Sequence, residues 1–149
     1  MKKLIILFGA VLIVLSSTGQ NVINKSAIYD GEIVSLRESQ AGLYAYSSGL
    51  NVDDKGHVSG KVLSFHENGN LNELGSLIKG EKHGQWLRYN QDGIKLNEAN
   101  YQFGKKDGIW KVWDSEGNLR MKFQFEDGKR IGEWVSYDAT GKIIEEKTY

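Results

Sequence analysis

The residues that could carry chemistry in this chain are few, and they begin with three histidines, His57, His66 and His83. A zinc site would need several such side chains within bonding distance of one ion. The repeat pattern described below places His57 and His83 in successive loops at one end of the predicted strands, and His66 in a turn at the other end. We therefore predict no metal site and no bound cofactor.

Catalysis by a nucleophile or by paired acids is not indicated by the sequence either. The chain has no cysteine, no Gly-x-Ser-x-Gly elbow and no serine with a plausible histidine and acid grouping. Glu73, Glu98 and Glu145 lie near one predicted sheet edge, but such a row of carboxylates is more simply a solvated face than a glycosidase pair. We expect no enzyme, with an envelope glycan-processing enzyme as the least favoured alternative.

A set of basic side chains favours binding instead. Its members recur at equivalent places in the repeat, so that stacking would collect them into one ridge: Lys82, Lys105, Lys106, Lys129 and Arg130. Such a ridge would meet an acidic protein or anionic lipid headgroups. The alternative is a charged edge kept for solubility, because Glu81 and Asp107 dilute the positive charge.

A second set of binding candidates is aromatic, and interface hot spots are built on such side chains. One column of the set shares an offset in the repeat: Trp86, Trp110 and Trp134. The other column stands three positions later: Phe65, Tyr89, Trp113 and Tyr137. Positions three apart in a regular strand face opposite ways, so we expect one column to fill the groove over the sheet, while the other covers the reverse side or is turned by a bulge. The sequence leaves open which side is exposed and whether the rings only supply the core.

The elements that must position these side chains follow from glycines at Gly60, Gly84, Gly108 and Gly132, each 24 residues after the last. An unbroken period of this kind is the signature of a repeat protein. Each glycine precedes a stretch rich in Trp, Tyr, Val and Leu, and then a polar tetrad that ends in glycine, such as residues 90–93. This order predicts a strand followed by a type I turn closed by a bulge.

Past the turn, apolar residues alternate with polar ones, most clearly at Leu119, Met121, Phe123 and Phe125. Period two predicts a second strand with one buried face. Glycine-bounded loops at 80–84, 104–108 and 128–132 are predicted to return the chain to the next block. Each block is then a two-stranded hairpin, and stacked hairpins form one elongated antiparallel sheet in an all-β fold.

The predicted organisation has three parts: a signal peptide over residues 1–19, a segment over 20–59 that includes a degenerate capping repeat, and four hairpin repeats at 60–83, 84–107, 108–131 and 132–149. Lys2 and Lys3 precede an apolar run from Leu4 to Leu15. That run is short for a membrane span of about 20 residues and typical of a secretory signal, with an uncleaved anchor as the alternative. We therefore expect an exported protein, whether periplasmic, outer-envelope or secreted.

The charge balance constrains the partners of the chain. Its 19 basic and 19 acidic side chains give no electrostatic reason to expect nucleic acid. We expect a protein partner at the cell envelope, with anionic lipid bound by the basic ridge as the alternative. The oligomeric state is left open by the sequence.

Two strings, GKKDGIWKVWDSEGNLR and GEWVSYDATGKI, resemble the MORN-repeat variant, the motif of YwqK-type antitoxin-like proteins. The resemblance covers residues 60–149, with a weak extension back to about residue 36. It implies a hairpin solenoid used for protein or lipid contact, and the antitoxin label implies that a toxin is neutralised by binding. The chain departs from the pattern at Val62, where Trp is usual, and its secretory signal fits poorly with a cytoplasmic toxin.

Overall fold

The computed structural model describes residues 51–149 in full, and before them it gives only the backbone of five strands. These strands are β1 (Ile5–Ile6), β2 (Leu12–Leu15), β3 (Asn21–Tyr29), β4 (Glu32–Ser39) and β5 (Gly42–Ser47). The predicted signal peptide and the first part of the predicted capping repeat lie outside the fully described residues.

Residues 51–149 form ten strands: β6 (Asn51–Val52), β7 (Val58–Phe65), β8 (Leu71–Ile78), β9 (Glu81–Tyr89), β10 (Lys95–Gln102), β11 (Lys105–Lys106), β12 (Gly108–Trp113), β13 (Leu119–Glu126), β14 (Lys129–Tyr137) and β15 (Ile143–Thr148). From β7 onward the longer strands pair in chain order, all antiparallel, while β6 and β11 pair only with β7 and β10. The predicted all-β sheet of stacked hairpins is confirmed.

Each hairpin closes through a four-residue turn, and the turn from Asn90 to Gly93 shows why. The N–H of Gly93 donates to the carbonyl oxygen of Asn90 at 3.0 Å. Gly93 has a φ of 81°, in the left-handed region that glycine adopts at little cost. The side-chain oxygen of Asn90 accepts from the N–H groups two and four residues later, at 3.0 and 2.8 Å. Asp114 and Asp138 accept in the same way, as a type I turn with a bulge requires.

The connections between hairpins are shorter than the sequence pattern predicts. Loops were expected at 80–84, 104–108 and 128–132, but the strands are joined by two residues at each place: Lys79–Gly80, Phe103–Gly104 and Asp127–Gly128. Both residues of each pair have positive φ, which defines the type I′ turn of a two-residue hairpin. The prediction of five-residue loops is therefore wrong, because the second glycine of each motif lies in the next strand and not in a loop.

That second glycine marks a bulge that recurs in the repeats. Between β8 and β9, Leu74 pairs with Leu87 and Ser76 with His83, so β9 carries two more residues than β8 across this step. The same excess recurs between β13 and β14 and between β10 and the pair β11–β12. Gly84, with a φ of 68°, supplies the backbone conformation that the extra residues need. Because the excess is even, side chains beyond the bulge stay on the same faces.

Successive residues of a strand point to opposite sides, so the strand pairing defines two faces of the sheet. One face, called the tryptophan face below, carries Trp86, Trp110 and Trp134. The other, called the opposite face, carries Phe65, Tyr89, Trp113 and Tyr137. Of the two alternatives that the sequence left open, the strand pairing therefore supports the one in which the second column covers the reverse side of the sheet.

The core shifts from one face to the other along the sheet. In the first hairpin the buried apolar side chains, Leu63 and Phe65, are 1% and 5% exposed and belong to the opposite face. From the second hairpin onward they are Trp86, Ala99 and Phe125, which are 6%, 8% and 6% exposed and belong to the tryptophan face. A single sheet buries little on either side, so each hairpin depends on its neighbours for a core.

Candidate binding surface

The three residues that define the tryptophan face each join one hairpin to the hairpin before it. The indole Nε1–H donates to the carbonyl oxygen of the residue ten positions earlier, at 3.1, 2.9 and 3.4 Å for Trp86, Trp110 and Trp134. Those carbonyl groups lie beside the recurring bulge, where the backbone ladder between hairpins is interrupted. The indole bond therefore bridges the interruption while the ring covers it.

A cation lies over each of these indole rings. The charged groups of Lys82, Lys106 and Arg130 lie 3.8, 4.7 and 4.6 Å from the ring centroids of the tryptophans four residues after them. Such distances are within the range of cation–π attraction. In the first repeat, Val58 and Val62 hold the two equivalent positions. The first repeat therefore lacks both the cation and the indole, which supports treating each cation and its tryptophan as one structural unit.

Each cation also meets a second ring, so that it lies between two aromatic side chains. The second rings, 5.4, 4.9 and 5.4 Å from the cations in the same order, belong to Tyr101, Phe125 and Tyr149. Edge contacts join these rings to the tryptophans, as between Tyr101 and Trp110 at a centroid distance of 5.1 Å. The second, third and fourth hairpins thus share a continuous set of rings and cations, called the aromatic row below.

The residue that each tryptophan meets on the preceding hairpin changes in size along the sheet. Trp86 lies flat against Gly75, where a Cβ would collide with the indole. The equivalent residues of the next two repeats are Ala99 and Phe123. Phe123 stacks on Trp134 at a centroid distance of 4.7 Å. Trp86 is buried and Trp134 is half-buried, so the ring over the glycine is more deeply buried than the ring stacked on a phenylalanine.

At the last hairpin the aromatic row opens into a cleft of about 140 Å³, called the C-terminal cleft below. Its lining residues include Met121, Phe123, Trp134, Glu145, Lys147 and Tyr149. Three of them give it aromatic walls, and Met121 is 45% exposed. The guanidinium of Arg130 adjoins the cleft, because its Nη1 donates to the hydroxyl of Tyr149 at 3.1 Å.

The five basic residues predicted to form one ridge all lie at the same end of the sheet, in the strand starts that follow the two-residue turns. They do not share a surface. Lys82, Lys106 and Arg130 cover rings of the tryptophan face. Lys105 and Lys129 directly precede two of these residues in the strands and so point to the other side of the sheet. The ridge is therefore split between the two faces.

Carboxylates neutralise only some of these cations. Lys82 Nζ lies 3.0 Å from a carboxylate oxygen of Glu73, and Lys105 Nζ lies 2.6 Å from one of Asp127. The hydrogen bond between Lys105 and Asp127 raises the pKa of the lysine and lowers the pKa of the carboxyl group. Within residues 51–149, the other two cations of the aromatic row form no ion pair with a carboxylate.

The aromatic column of the opposite face lies beside paired charges. Lys95 Nζ is 4.2 Å from the ring centroid of Trp113 and 3.0 Å from a carboxylate oxygen of Glu98. Lys111 Nζ lies 3.6 Å from the second oxygen of the same carboxylate. The hydrogen bond from Lys95 is the main cause of the lowered pKa of Glu98. Two further members of the column are half-buried: Tyr89 and Tyr137. Lys95 and Lys111 therefore share the single carboxylate of Glu98.

The three histidines lie apart from one another. His57 Nδ1 is 2.9 Å from a carboxylate oxygen of Asp53. The Nε2–H of His66 donates to a carbonyl oxygen of the next hairpin at 2.9 Å, and His83 packs against the ring of Phe103. Among residues 51–149, no group of three or more His, Cys, Asp or Glu side chains could hold a metal ion.

Within the same residues, no helix has the length and apolar character needed to cross a membrane.

The sequence pattern identifies the tryptophans and the basic residues of the aromatic row, but not their pairing. The sequence feature that could have predicted this pairing is the constant spacing of four residues between the cation and the tryptophan, as between Lys82 and Trp86, which recurs in the next two repeats. It was hidden because the cations were expected in loops. The C-terminal cleft was missed for another reason: Glu145 and Lys147 come from the last strand, and no repeat spacing relates them to Phe123.

The fold and this surface together define a β-hairpin repeat scaffold with a row of side chains along one face. The chain matches the family model of the MORN repeat variant at residues 59–78, 106–127 and 130–149. It therefore contains three repeats of the MORN variant, as the resemblance implied. Repeat domains of this kind generally mediate binding and are generally not catalytic. No curated protein matches the chain.

Proposed function

We propose that this protein is an exported, non-enzymatic scaffold that binds another protein at the cell envelope through its tryptophan face. The observation that carries the proposal is the combination of partly exposed rings with cations that lack a carboxylate partner within residues 51–149, namely Lys106 and Arg130. Aromatic rings and guanidinium groups dominate the energetics of protein interfaces, so this face has the composition that a partner needs.

The shape of the face supports a macromolecular partner. The aromatic row extends over three hairpins, so it offers contacts along a line, whereas sites for small ligands are enclosed and mostly apolar. Extended faces of this kind are what repeat proteins use for binding. An antitoxin-like role would be one form of such binding, in which a toxin is neutralised by occupation of the tryptophan face.

A pull-down from envelope extract tests this proposal with a matched pair of variants. Lys106→Glu with Arg130→Glu reverses two cations of the aromatic row. Lys61→Glu with Lys122→Glu makes the same charge change on the opposite face. We expect the first variant to lose a partner that the second retains, because only the first reverses the charge of the proposed interface. Unfolding curves verify that both variants fold. Equal capture by the two variants would contradict binding through the tryptophan face.

Peripheral binding of anionic lipid is the second candidate, and one observation favours it. All five basic residues lie at one end of the sheet, so that end could approach a charged bilayer. The ion pairs of Lys82 and Lys105 weaken this candidate, because they already neutralise two of the five charges. Co-sedimentation with phosphatidylglycerol vesicles, and with phosphatidylcholine vesicles as the control, tests it. Binding that requires the anionic lipid and weakens with added salt would favour lipid over protein.

A further inference from the structure

The C-terminal cleft has the size of a single side chain. Its volume of about 140 Å³ is close to that of an engineered apolar cavity, about 150 Å³, that binds benzene. The rings of Phe123, Trp134 and Tyr149 supply its apolar walls, and the exposed Met121 adds an adaptable one. It is therefore suited to one leucine-sized or phenylalanine-sized group and too small for a folded element.

The charges around the cleft are predominantly positive. Arg130 lies over the ring of Trp134 and donates to the hydroxyl of Tyr149, and Lys147 Nζ lies 4.7 Å from the Tyr149 ring. Neither cation forms an ion pair with a carboxylate within residues 51–149. Glu145 is the acidic residue among those lining the cleft. Two side-chain cations against one side-chain carboxylate favour an anionic group beside the apolar one.

We infer that the C-terminal cleft is an anchor site for an acidic peptide segment of the partner, and this inference rests on the proposed function. One apolar side chain of the segment fills the cleft between the aromatic walls. A neighbouring Asp or Glu of the segment bonds Arg130 and Lys147, where a guanidinium can hold a carboxylate through two parallel hydrogen bonds. From there the segment continues along the aromatic row toward Lys106, the next cation without a carboxylate partner in the described chain.

The alternative chemistries fit the cleft less well. A basic segment would place a third positive charge beside Arg130 and Lys147, and like charges at an interface repel. A purely apolar segment would leave both cations without a counter-ion after water is excluded, which costs free energy. An acidic residue next to an apolar one satisfies both requirements, so the cleft selects a short sequence pattern and not only a charge.

Titration with three terminally blocked tripeptides tests the inference: Asp-Leu-Asp, Asn-Leu-Asn and Asp-Ser-Asp. The chain has four tryptophans, so its indole N–H groups give four NMR signals that single Trp→Phe variants assign. We expect Asp-Leu-Asp to shift the signal of Trp134 and to leave that of Trp86 unchanged, because Trp86 is buried at the far end of the row. Each of the other peptides should bind about tenfold more weakly, since each lacks either the charges or the apolar anchor.

Variants separate the roles of charge and shape. Arg130→Gln with Lys147→Gln should weaken binding of Asp-Leu-Asp about tenfold. Lys61→Gln with Lys122→Gln, which removes two cations from the opposite face, should leave binding within about twofold. Ser136→Leu places a larger side chain in the lining of the cleft and should abolish the Trp134 shift while both cations remain. Unfolding curves that match the unmodified chain confirm that each variant folds.

The inference is overturned if the Trp134 signal does not move with Asp-Leu-Asp, or if all three peptides move it equally. Its failure is distinct from failure of the proposed function. If an envelope partner is still captured and still depends on Lys106 and Arg130, the tryptophan face binds protein but not through an anchored acidic segment. If no partner depends on those residues, the proposed function itself fails.

Discussion

Trp110 and Asn100 are joined by a hydrogen bond that crosses from one hairpin to the next, because the indole Nε1–H donates to the carbonyl oxygen of Asn100 at 2.9 Å. The same oxygen accepts from the N–H of Asp107 at 2.9 Å, and a carbonyl oxygen has two lone pairs to offer. One backbone group therefore holds both the bulged strand and the ring that covers it. The side chains proposed to bind a partner are also the ones that hold the repeats together.

Replacing Trp110 with alanine should destabilise the whole array. The change removes the bond to Asn100, the edge contacts with Tyr101 and Phe125, and the ring beneath Lys106. We expect the free energy of unfolding to fall by about 3 kcal/mol, measured by denaturant titration. Trp110→Phe, which keeps a ring and loses the donor, should cost about 1 kcal/mol. An unchanged unfolding midpoint for the alanine variant would count against stacking as the source of stability.

Replacing Gly75 with alanine should destabilise the junction between the first and second hairpins. A Cβ at this position would collide with the indole of Trp86, so the ring must move. The third hairpin meets an alanine at the equivalent place, Ala99, which indicates that a tryptophan can adjust. We therefore expect a loss of about 1–2 kcal/mol in the free energy of unfolding. In a chain that already carries Trp86→Val, the same Gly75→Ala change should cost much less, and an equal cost in both backgrounds would disprove the steric explanation.

Stability should fall in acid because of the carboxylates in the hairpin turns. The pKa of Asp114 is lowered chiefly by the backbone N–H of Asn118, and that of Asp138 chiefly by the side chain of Thr140. A carboxyl group whose pKa is lower in the folded protein stabilises the fold above its unfolded value, which is about 3.9, and loses that contribution as the pH falls through the folded value. Thermal unfolding between about pH 2 and pH 7 should show this decline.

The chain itself supplies the control for this acid effect. Asn90 fills the equivalent turn position and accepts the same hydrogen bonds without a titrating group. Asp114→Asn with Asp138→Asn should therefore keep the turns and flatten the decline in acid. Part of the decline should persist, because the pKa of Glu98 is also lowered, chiefly by the hydrogen bond from Lys95. A decline as steep as in the unmodified chain would show that the turn carboxylates do not cause it.

Replacing Lys79 with asparagine should stabilise the protein. Lys79 has a φ of 52° at the first position of a type I′ turn, where asparagine is strongly preferred and most other side chains are strained. We expect a gain of about 0.5–1 kcal/mol in the free energy of unfolding. Lys79→Ile, which adds a β-branched side chain at the same φ, should be destabilising. If both variants unfold at the same denaturant concentration, backbone strain at this turn is not significant.

The sequence predicts the features that depend on residues close together in the chain, and it fails for the features that depend on pairing between strands. The four-residue turns follow from single residues, such as Asn90 and Gly93, whose conformational preferences do not need the rest of the fold. The five-residue loops were predicted wrongly because a glycine such as Gly84 fits a loop and a bulge equally well. The pairing of Ser76 with His83 across the sheet decides between them, and no local pattern contains that pairing.

The sequence by itself determined the repeat, its length and the two strands of each unit, because glycine spacing and alternation act within one hairpin. Only the tertiary structure decided that Lys106 covers Trp110, that Lys105 instead pairs with Asp127, and that a cleft opens beside Tyr149. These relationships depend on the depth of each ring in the sheet. That depth is fixed by residues such as Gly75 and Phe123, which reach the tryptophans from a neighbouring hairpin.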